Sequence, residues 1–347
     1  MINSAPAVAA PAATRRVSFQ TIQTASVFLL LVALCVVSSV RTETFFTWRN
    51  LVDNLLTNAA CIGVIACGMT FVMVAGGFDL SVASITAVCG VVAVLTLTAT
   101  ASAGAPVAVT AAVLATLGAG LVLGAANGVL VAYVGVNPFV VTLSTMLVFR
   151  GIALVLTRGG QSIEVPGALR DAFRQFYWGR IGLFGSPYRL TLPILIFVAI
   201  FMLLAILLKK TRFGHYVYAV GGNETASWLA GVNTSLVRAL TYTLCGVSCS
   251  VAALVYTGMS NTAQAASYQG LEMIVIASVI VGGTPLGGGR GGLFYTLIGL
   301  LLLSVIENLL TQFGITEEYR NIVRGLIILI VVAVDVTVRK KTAKARA

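Results

Sequence analysis

The 347-residue sequence is 58% hydrophobic and 10% charged, with a mean hydropathy of +0.99, which excludes a water-soluble domain built around a single core. Leu80 to Phe149 holds no Asp, Glu, Lys, Arg or His; one span takes about 20 residues, so this run crosses a bilayer more than once. A net charge of +11 would suit nucleic acid in a soluble protein. Here the cations crowd the ends of the chain, where anionic lipid is a sufficient partner, and no nucleic-acid contact is expected.

In chain order, residues 1–17 open with an Ala/Pro-rich stretch and are predicted to be a disordered cytoplasmic N-terminus. The first apolar run is followed by others, so a cleaved signal peptide is not expected. The hydrophobic pattern predicts an all-α polytopic membrane protein with about ten transmembrane helices, near 21–40, 54–75, 80–98, 106–134, 137–157, 190–208, 236–257, 271–283, 292–313 and 320–338. Together these make a transmembrane domain over 18–339, followed by a basic cytoplasmic tail at 340–347.

Arg15 and Arg16 before the first span, and Arg339, Lys340, Lys341, Lys344 and Arg346 after the last, place both termini in the cytoplasm, as an even number of spans requires. The same count puts Lys209 to Arg238, including Ser227, inside and the 158–189 loop, including Ser186, outside. Five arginines of that loop (Arg158, Arg170, Arg174, Arg180, Arg189) run against the charge rule, which weighs long loops less. Pro166, Tyr177, Trp178 and Pro187 suggest that it forms an ordered lid or docking surface.

Two segments read as distant copies. Phe71 to Gly77 leads into Asp79-Leu80, and Ser278 to Gly283 leads into Pro285-Leu286; Arg150-Gly151 and Arg324-Gly325 each open an apolar helix end. If spans two to five match spans seven to ten, an offset of five spans gives the copies opposite topology. That is an inverted repeat, which places a substrate path between the halves.

Gly76-Gly77-Phe78-Asp79-Leu80-Ser81 stops one helix and starts the next, with Asp79 or Ser81 expected to cap the new helix. Asp79 is the sole Asp, Glu, Lys, Arg or His between Asn54 and Phe149, so its carboxylate belongs at an interface or in a water-lined cleft. Arg150, Glu272, Glu307 and Arg324 fall in the outer half of the membrane, where ion pairing between helices outweighs a proton relay. Asn58, Asp79, Asn127, Asn137, Thr142 and Asn308 are candidates for lining a path for a neutral polyhydroxylated solute; helix-helix hydrogen bonds account for any one of them equally well.

The segment Gly282 to Gly292 carries seven glycines but lacks the Gly-Lys-Ser/Thr ending that places a lysine on phosphates, so it is read as a tight cytoplasmic turn that packs closely on a neighbour. The lone histidine, His215, and six cysteines inside apolar spans form no metal or catalytic constellation, so no cofactor and no catalysis are expected of this chain. The polar stretch Gly221 to Asn233, bracketed by cations, is either an ordinary connection or an element that a soluble partner grips.

Gly68-Met69-Thr70, Gly76 to Val82, Asn137 to Leu143, Gly221 to Ala226 and Val281 to Gly289 together resemble the membrane permease subunits of bacterial ATP-binding-cassette sugar importers of the ribose, xylose and arabinose type. The resemblance implies an inner-membrane protein that carries a monosaccharide by alternating access. It also implies partners: a second permease subunit, a cytoplasmic ATPase and a periplasmic sugar-binding protein. By motif, Gly221, Gly222, Asn223, Glu224, Thr225, Ala226, Gly231 and Asn233 correspond to the loop that couples to the ATPase. Pro285 and Gly287 stand where many relatives have serine and alanine. The alternative from another class is a proton-coupled secondary transporter of a small polar solute.

Overall fold

The computed structural model describes residues 19–182 and 189–344, so the expected N-terminal segment 1–17 and Ser186 lie outside the described residues. The chain begins with α1 (Phe19–Arg41), then a π-helical segment (Arg49–Leu56) that runs without interruption into α2 (Thr57–Val74). It continues with α3 (Val82–Thr100), α4 (Ala105–Ala132) and α5 (Pro138–Leu156). An excursion of short elements follows: β1 (Ile163–Glu164), α6 (Gly167–Phe173), α7 (Gln175–Trp178), β2 (Arg180–Gly182) and β3 (Arg189–Thr191). The remainder comprises α8 (Leu192–Lys210), α9 (Arg212–Gly222), α10 (Glu224–Leu229), α11 (Thr234–Ser260), β4 (Thr262–Ala263), α12 (Leu271–Gly282), α13 (Leu293–Gln312) and α14 (Glu317–Lys344).

Each predicted span falls on one of these helices. Among the described residues seven helices are long and apolar enough to cross a membrane by themselves, while Ala25–Arg41 and Leu271–Gly282 are shorter apolar helices. α12 is bracketed by two left-handed glycines, Gly270 (φ 82°) and Gly283 (φ 111°). At 1.5 Å per residue its 12 residues rise about 18 Å, well short of the roughly 30 Å hydrocarbon layer. The irregular backbone leading into it is satisfied from the side: the Arg150 guanidinium on α5 donates to the carbonyls of Ala265 and, at 2.8 Å, Ser267. Non-helical backbone at membrane depth needs such internal partners.

α8 connects the excursion to α9, so the short strands and the α9–α10 pair stand at its opposite ends. The end bearing Lys209, Lys210, Arg212 and Arg238 is called the inner end, as the charge rule expects.

α2 is apolar on every side and almost wholly buried, because α8, α11, α12 and α13 surround it. α4 and α11 pack extensively and closely through small residues one turn apart: a Cβ at Gly120 would sit 2.4 Å from the Gly246 carbonyl oxygen, and one at Gly124 would sit 2.6 Å from that of Tyr242. Backbones approach this closely where no side chain intervenes, which substitutes for a hydrophobic driving force inside a bilayer.

The neighbour relations of spans two to five recur in spans seven to ten. α3 packs on α4 as α12 packs on α13; α11 touches both α3 and α4 as α2 touches both α12 and α13; α5 lies on α3 as α14 lies on α12.

The excursion at the outer end is ordered by pairing. β1 runs antiparallel to β4, Ile163 opposite Ala263, and β2 antiparallel to β3, Arg180 opposite Thr191. Three of the arginines that strain the charge rule are paired here, Arg170 with Glu164 at 3.1 Å, Arg174 with Asp171 at 3.7 Å and Arg180 with Asp53 at 3.1 Å.

Candidate functional site

Two regions at opposite ends of the bundle carry the candidate residues. At the inner end, Asn223 ends α9 and caps α10, its Oδ1 accepting the Ala226 N–H at 2.9 Å; Asn233 caps α11 likewise from Leu236 at 2.9 Å. These two asparagines and Gly231, held at φ 84°, turn the chain twice within 11 residues and leave α10 projecting as a knob. Glu224 is paired with Arg238, whose Nη1 donates to both carboxylate oxygens at 3.0 Å. The knob presents Trp228 and Leu229, 64% and 72% exposed, at its tip.

The base of the knob bears directly on the end of α2. A Cβ on Gly221 would fall 1.8 Å from the Val74 carbonyl oxygen, and the Gly289 N–H donates to that same oxygen at 2.8 Å. Gly288, at φ 72°, lies against Gly76, and the Tyr218 hydroxyl on α9 donates to the Gly291 carbonyl at 2.9 Å. Burial pushes the Tyr218 phenol above its ordinary range. The glycine-rich segment therefore is the close-packed turn that its sequence suggests, and the 221–222 backbone is what it packs on.

The other face of the Ala75–Ser81 connection holds Asp79, fully buried. Its Oδ1 accepts the Ser81 N–H at 2.8 Å and the Ser81 hydroxyl at 2.6 Å; the Asn127 amide nitrogen on α4 donates to Oδ2 at 3.3 Å and to the Ser81 oxygen at 2.7 Å. Burial pushes the Asp79 carboxyl up, and the bonds from Ser81 and Asn127 pull against it. The expectation of a helix cap is corrected in detail: Ser81 is the residue at the cap of α3 but its side chain makes no capping bond, and Asp79 fastens the turn before the helix rather than the helix's first turn. Tyr242 on α11 closes the region by donating to the Phe78 carbonyl at 3.2 Å.

At the outer end a cleft of about 570 Å³ opens between the π-helical segment, α11, α12, α13 and α14. Asn50, Asn54 and Asn58, one helical turn apart, line one wall; Glu307, Asn308, Gln312, Arg320 and Arg324 line the other, and Tyr256 lies among the apolar residues between. The walls are linked by a reciprocal amide pair, Asn50 to Asn308 at 3.1 Å and Asn308 to Asn50 at 2.9 Å. Arg324 grips Glu307 in a two-point pair at 2.7 and 3.0 Å. The volume and the mixture of amide, carboxylate and guanidinium groups suit a small polyhydroxylated molecule.

The six path candidates thus divide. Asn58 and Asn308 share the outer cleft; Asp79 and Asn127 share the buried inner network. Asn137 and Thr142 join neither group: Asn137 is exposed and caps α5 by accepting the Phe139 N–H at 2.9 Å, and the buried Thr142 hydroxyl donates within its own helix to the Pro138 carbonyl at 2.8 Å. Asn50 and Asn54 were not among the candidates, although Asn50, Asn54 and Asn58 recur at every fourth residue and so share one helical face. Arg150 and Glu272, grouped with the outer ion pairs, do not meet as a salt bridge; Arg150 is spent on backbone carbonyls.

Residues 51–332 match the family described as branched-chain amino acid transport system / permease component. The chain is similar to the ribose import permease protein RbsC of Escherichia coli (strain K12), 36% identical over 310 residues, covering 89% of this chain and 92% of that protein. RbsC of Bacillus subtilis (strain 168) is 37% identical over 324 residues, 91% of this chain and 92% of its own length. The L-arabinose transport system permease protein AraH of E. coli (strain K12) is 33% identical over 273 residues, 79% of this chain and 78% of AraH. No solved structure matches the chain. An all-helical bundle with these matches along most of its length belongs to the branched-chain amino acid transport system / permease component family, as a multi-pass inner-membrane protein similar to permeases named for ribose and L-arabinose import.

Proposed function

We propose that this chain is the membrane permease subunit of an ATP-driven importer and forms the translocation path for a monosaccharide by alternating access. The sugar class comes from the relatives, which are named for ribose, arabinose and xylose. The cycle calls for a separate cytoplasmic ATPase, a periplasmic sugar-binding protein and a second permease subunit, identical or different. The observation that carries the reading is the placement of the two regions: an exposed knob, α10, whose base touches the end of the central helix α2, and a polar cleft at the opposite end of that same helical column.

On this reading the ATPase grips α10, with Gly221, Gly222, Asn223, Glu224, Thr225, Ala226, Gly231 and Asn233 shaping and presenting the knob. Sugar released by the binding protein enters between the Asn50–Asn54–Asn58 face and α13. Closure of the ATPase dimer shifts the knob, and packed helices that have two discrete arrangements turn that shift into opening of one end and closing of the other. The proton-coupled alternative would rest on the membrane carboxylates, of which Glu307 is bonded at two points to Arg324 and Asp79 to Ser81 and Asn127, while the buried Glu272 Oε2 has no hydrogen-bond partner among the described residues.

The test is reconstitution into vesicles with the ATPase and the binding protein. Uptake of ribose, arabinose or xylose that requires ATP and both partners supports the assignment. Uptake by the chain alone, driven by a proton gradient without ATP, would overturn it.

A further inference from the structure

At the Ala75–Ser81 connection the inner-end junction and the core of the bundle meet within a few residues. On its outer side Gly76 lies against Gly288, and the Val74 carbonyl just before it accepts from Gly289 while backing onto Gly221 at the base of the knob. On its inner side Asp79 and Ser81 are bonded to Asn127 on α4, and Phe78 to Tyr242 on α11. The two sides differ in kind. The glycine contacts are backbone against backbone, rigid and free of intervening side chains, so displacement at Gly221 has little slack before it moves Val74. The attachment to α4 runs through one amide, since Asn127 supplies the only side-chain bonds between Asp79 and another helix that the structure contains among its described residues.

We propose that Asp79 is a positioning residue of the transport cycle: it fastens the turn that the knob pushes on to Asn127, so that movement of the turn becomes movement of α4. This rests on the assignment of α10 as the ATPase contact. No part of Asp79 reaches the outer cleft, whose lining lies on other elements, so the carboxylate acts on the machinery and not on the sugar. Its burial fits that role, because a bond with no water to compete for it holds its partners in fixed register. α4 in turn is locked backbone to backbone on α11 by Gly120 and Gly124, so the two helices shift as a unit.

The connection has a donor and an acceptor end, which makes it reversible on paper and testable by exchange. Asn127→Asp sets a second carboxylate against Asp79 and severs the link. Adding Asp79→Asn restores it with the roles exchanged, the new amide donating to the new carboxylate while its oxygen still accepts from the Ser81 N–H and the Ser81 hydroxyl turns its one proton to the new carboxylate. A group that served only the stability of the fold would change the yield of folded protein without changing what each folded molecule does.

The experiment uses the whole importer in vesicles and reads sugar taken up per ATP hydrolysed, normalised to folded permease, for native protein, Asn127→Asp, Asp79→Ala and the double exchange Asp79→Asn with Asn127→Asp. Copurification of the ATPase is measured on the same samples. The expected result is that ATPase copurification and hydrolysis persist in all four, while uptake per ATP falls about tenfold or more in Asn127→Asp and Asp79→Ala and returns to within about threefold of native in the exchange. Native uptake per ATP in both severed variants overturns the proposal, and so does an exchange that folds and assembles but stays uncoupled. Should Asp79→Ala fail to accumulate, Asn127→Asp and the exchange decide alone. A Trp228→Glu control that leaves ATPase binding intact would instead remove the assignment of α10 and with it the premise, a failure that the exchange result does not mimic.

Discussion

Glu307 and Arg324 face each other across α13 and α14 with two parallel bonds of 2.7 and 3.0 Å, their side chains 25% and 17% exposed. Arg324 also donates to Asn321 at 2.7 Å and lies 3.5 Å from Glu317. A planar guanidinium so engaged fixes the angle between the two helices that wall the cleft.

Removing one partner of this pair should therefore hurt more than removing both. Arg324→Leu leaves Glu307 uncompensated and is expected to lower stability by about 1–3 kcal/mol, between the values for exposed and fully buried pairs. The double change Arg324→Leu with Glu307→Leu should recover most of the loss. The thermal transition of the detergent-solubilised protein reads both. If the pair is structural, Glu307→Gln should also leave ATP-driven uptake unchanged when the proton gradient is collapsed.

At the inner end two adjacent glycines should respond in opposite ways. A Cβ on Gly221 would lie 1.8 Å from the Val74 carbonyl oxygen, while one on Gly222 meets nothing within 4 Å. Gly221→Ala must push the knob off α2 and is expected to cost about 1–3 kcal/mol, as overpacking does. Gly222→Ala should be near neutral. Equal transition temperatures for the two variants would mean that the knob does not rest on α2.

The helices were legible because a span is a long apolar run with polar ends, and each predicted run fell on a helix. What the sequence hid is of two kinds. Asp79 and Asn127 stand 48 residues apart, on elements with no shared periodicity, and their bond exists only because α3, α4 and α11 pack as they do. Asn50 lies outside the span predicted at 54–75 because Arg49, Asn50 and Asp53 break the apolar run, whereas the segment is helical and its asparagines turn into the cleft. Asn137 is the reverse case. Its position just before Pro138 is the pattern of a helix start, and local capping accounts for it without any ligand.

Trp228 and Leu229 offer the sharpest check on the knob. A largely exposed tryptophan beside an exposed leucine is an unfavourable way to end a six-residue helix in water, and large aromatic anchors dominate docking energetics. Trp228→Ala and Leu229→Ala together are expected to weaken ATPase binding by about 2 kcal/mol or more, roughly thirtyfold, without altering the thermal stability of the isolated permease. Titration of the purified ATPase against permease in detergent measures it. Unchanged affinity would place the ATPase contact elsewhere.

The assignment of inner and outer ends can be tested independently of any partner. Gln161 and Leu229 are both exposed and lie on either side of the single helix α8 that separates the excursion from the knob. Cysteines placed at these two positions, in a background where Cys35, Cys61, Cys67, Cys89, Cys245 and Cys249 are alanine, should label from opposite faces of intact cells. Leu229 is chosen over the neighbouring Ser227 because Ser227 is buried and bonded to the Asn223 carbonyl at 2.8 Å, so a cysteine there would label poorly whatever its side. A membrane-impermeant maleimide added outside should reach position 161 at once and position 229 only after the membrane is opened. Labelling of both from outside would put the knob and the excursion on one face, and a cytoplasmic ATPase could then not reach α10.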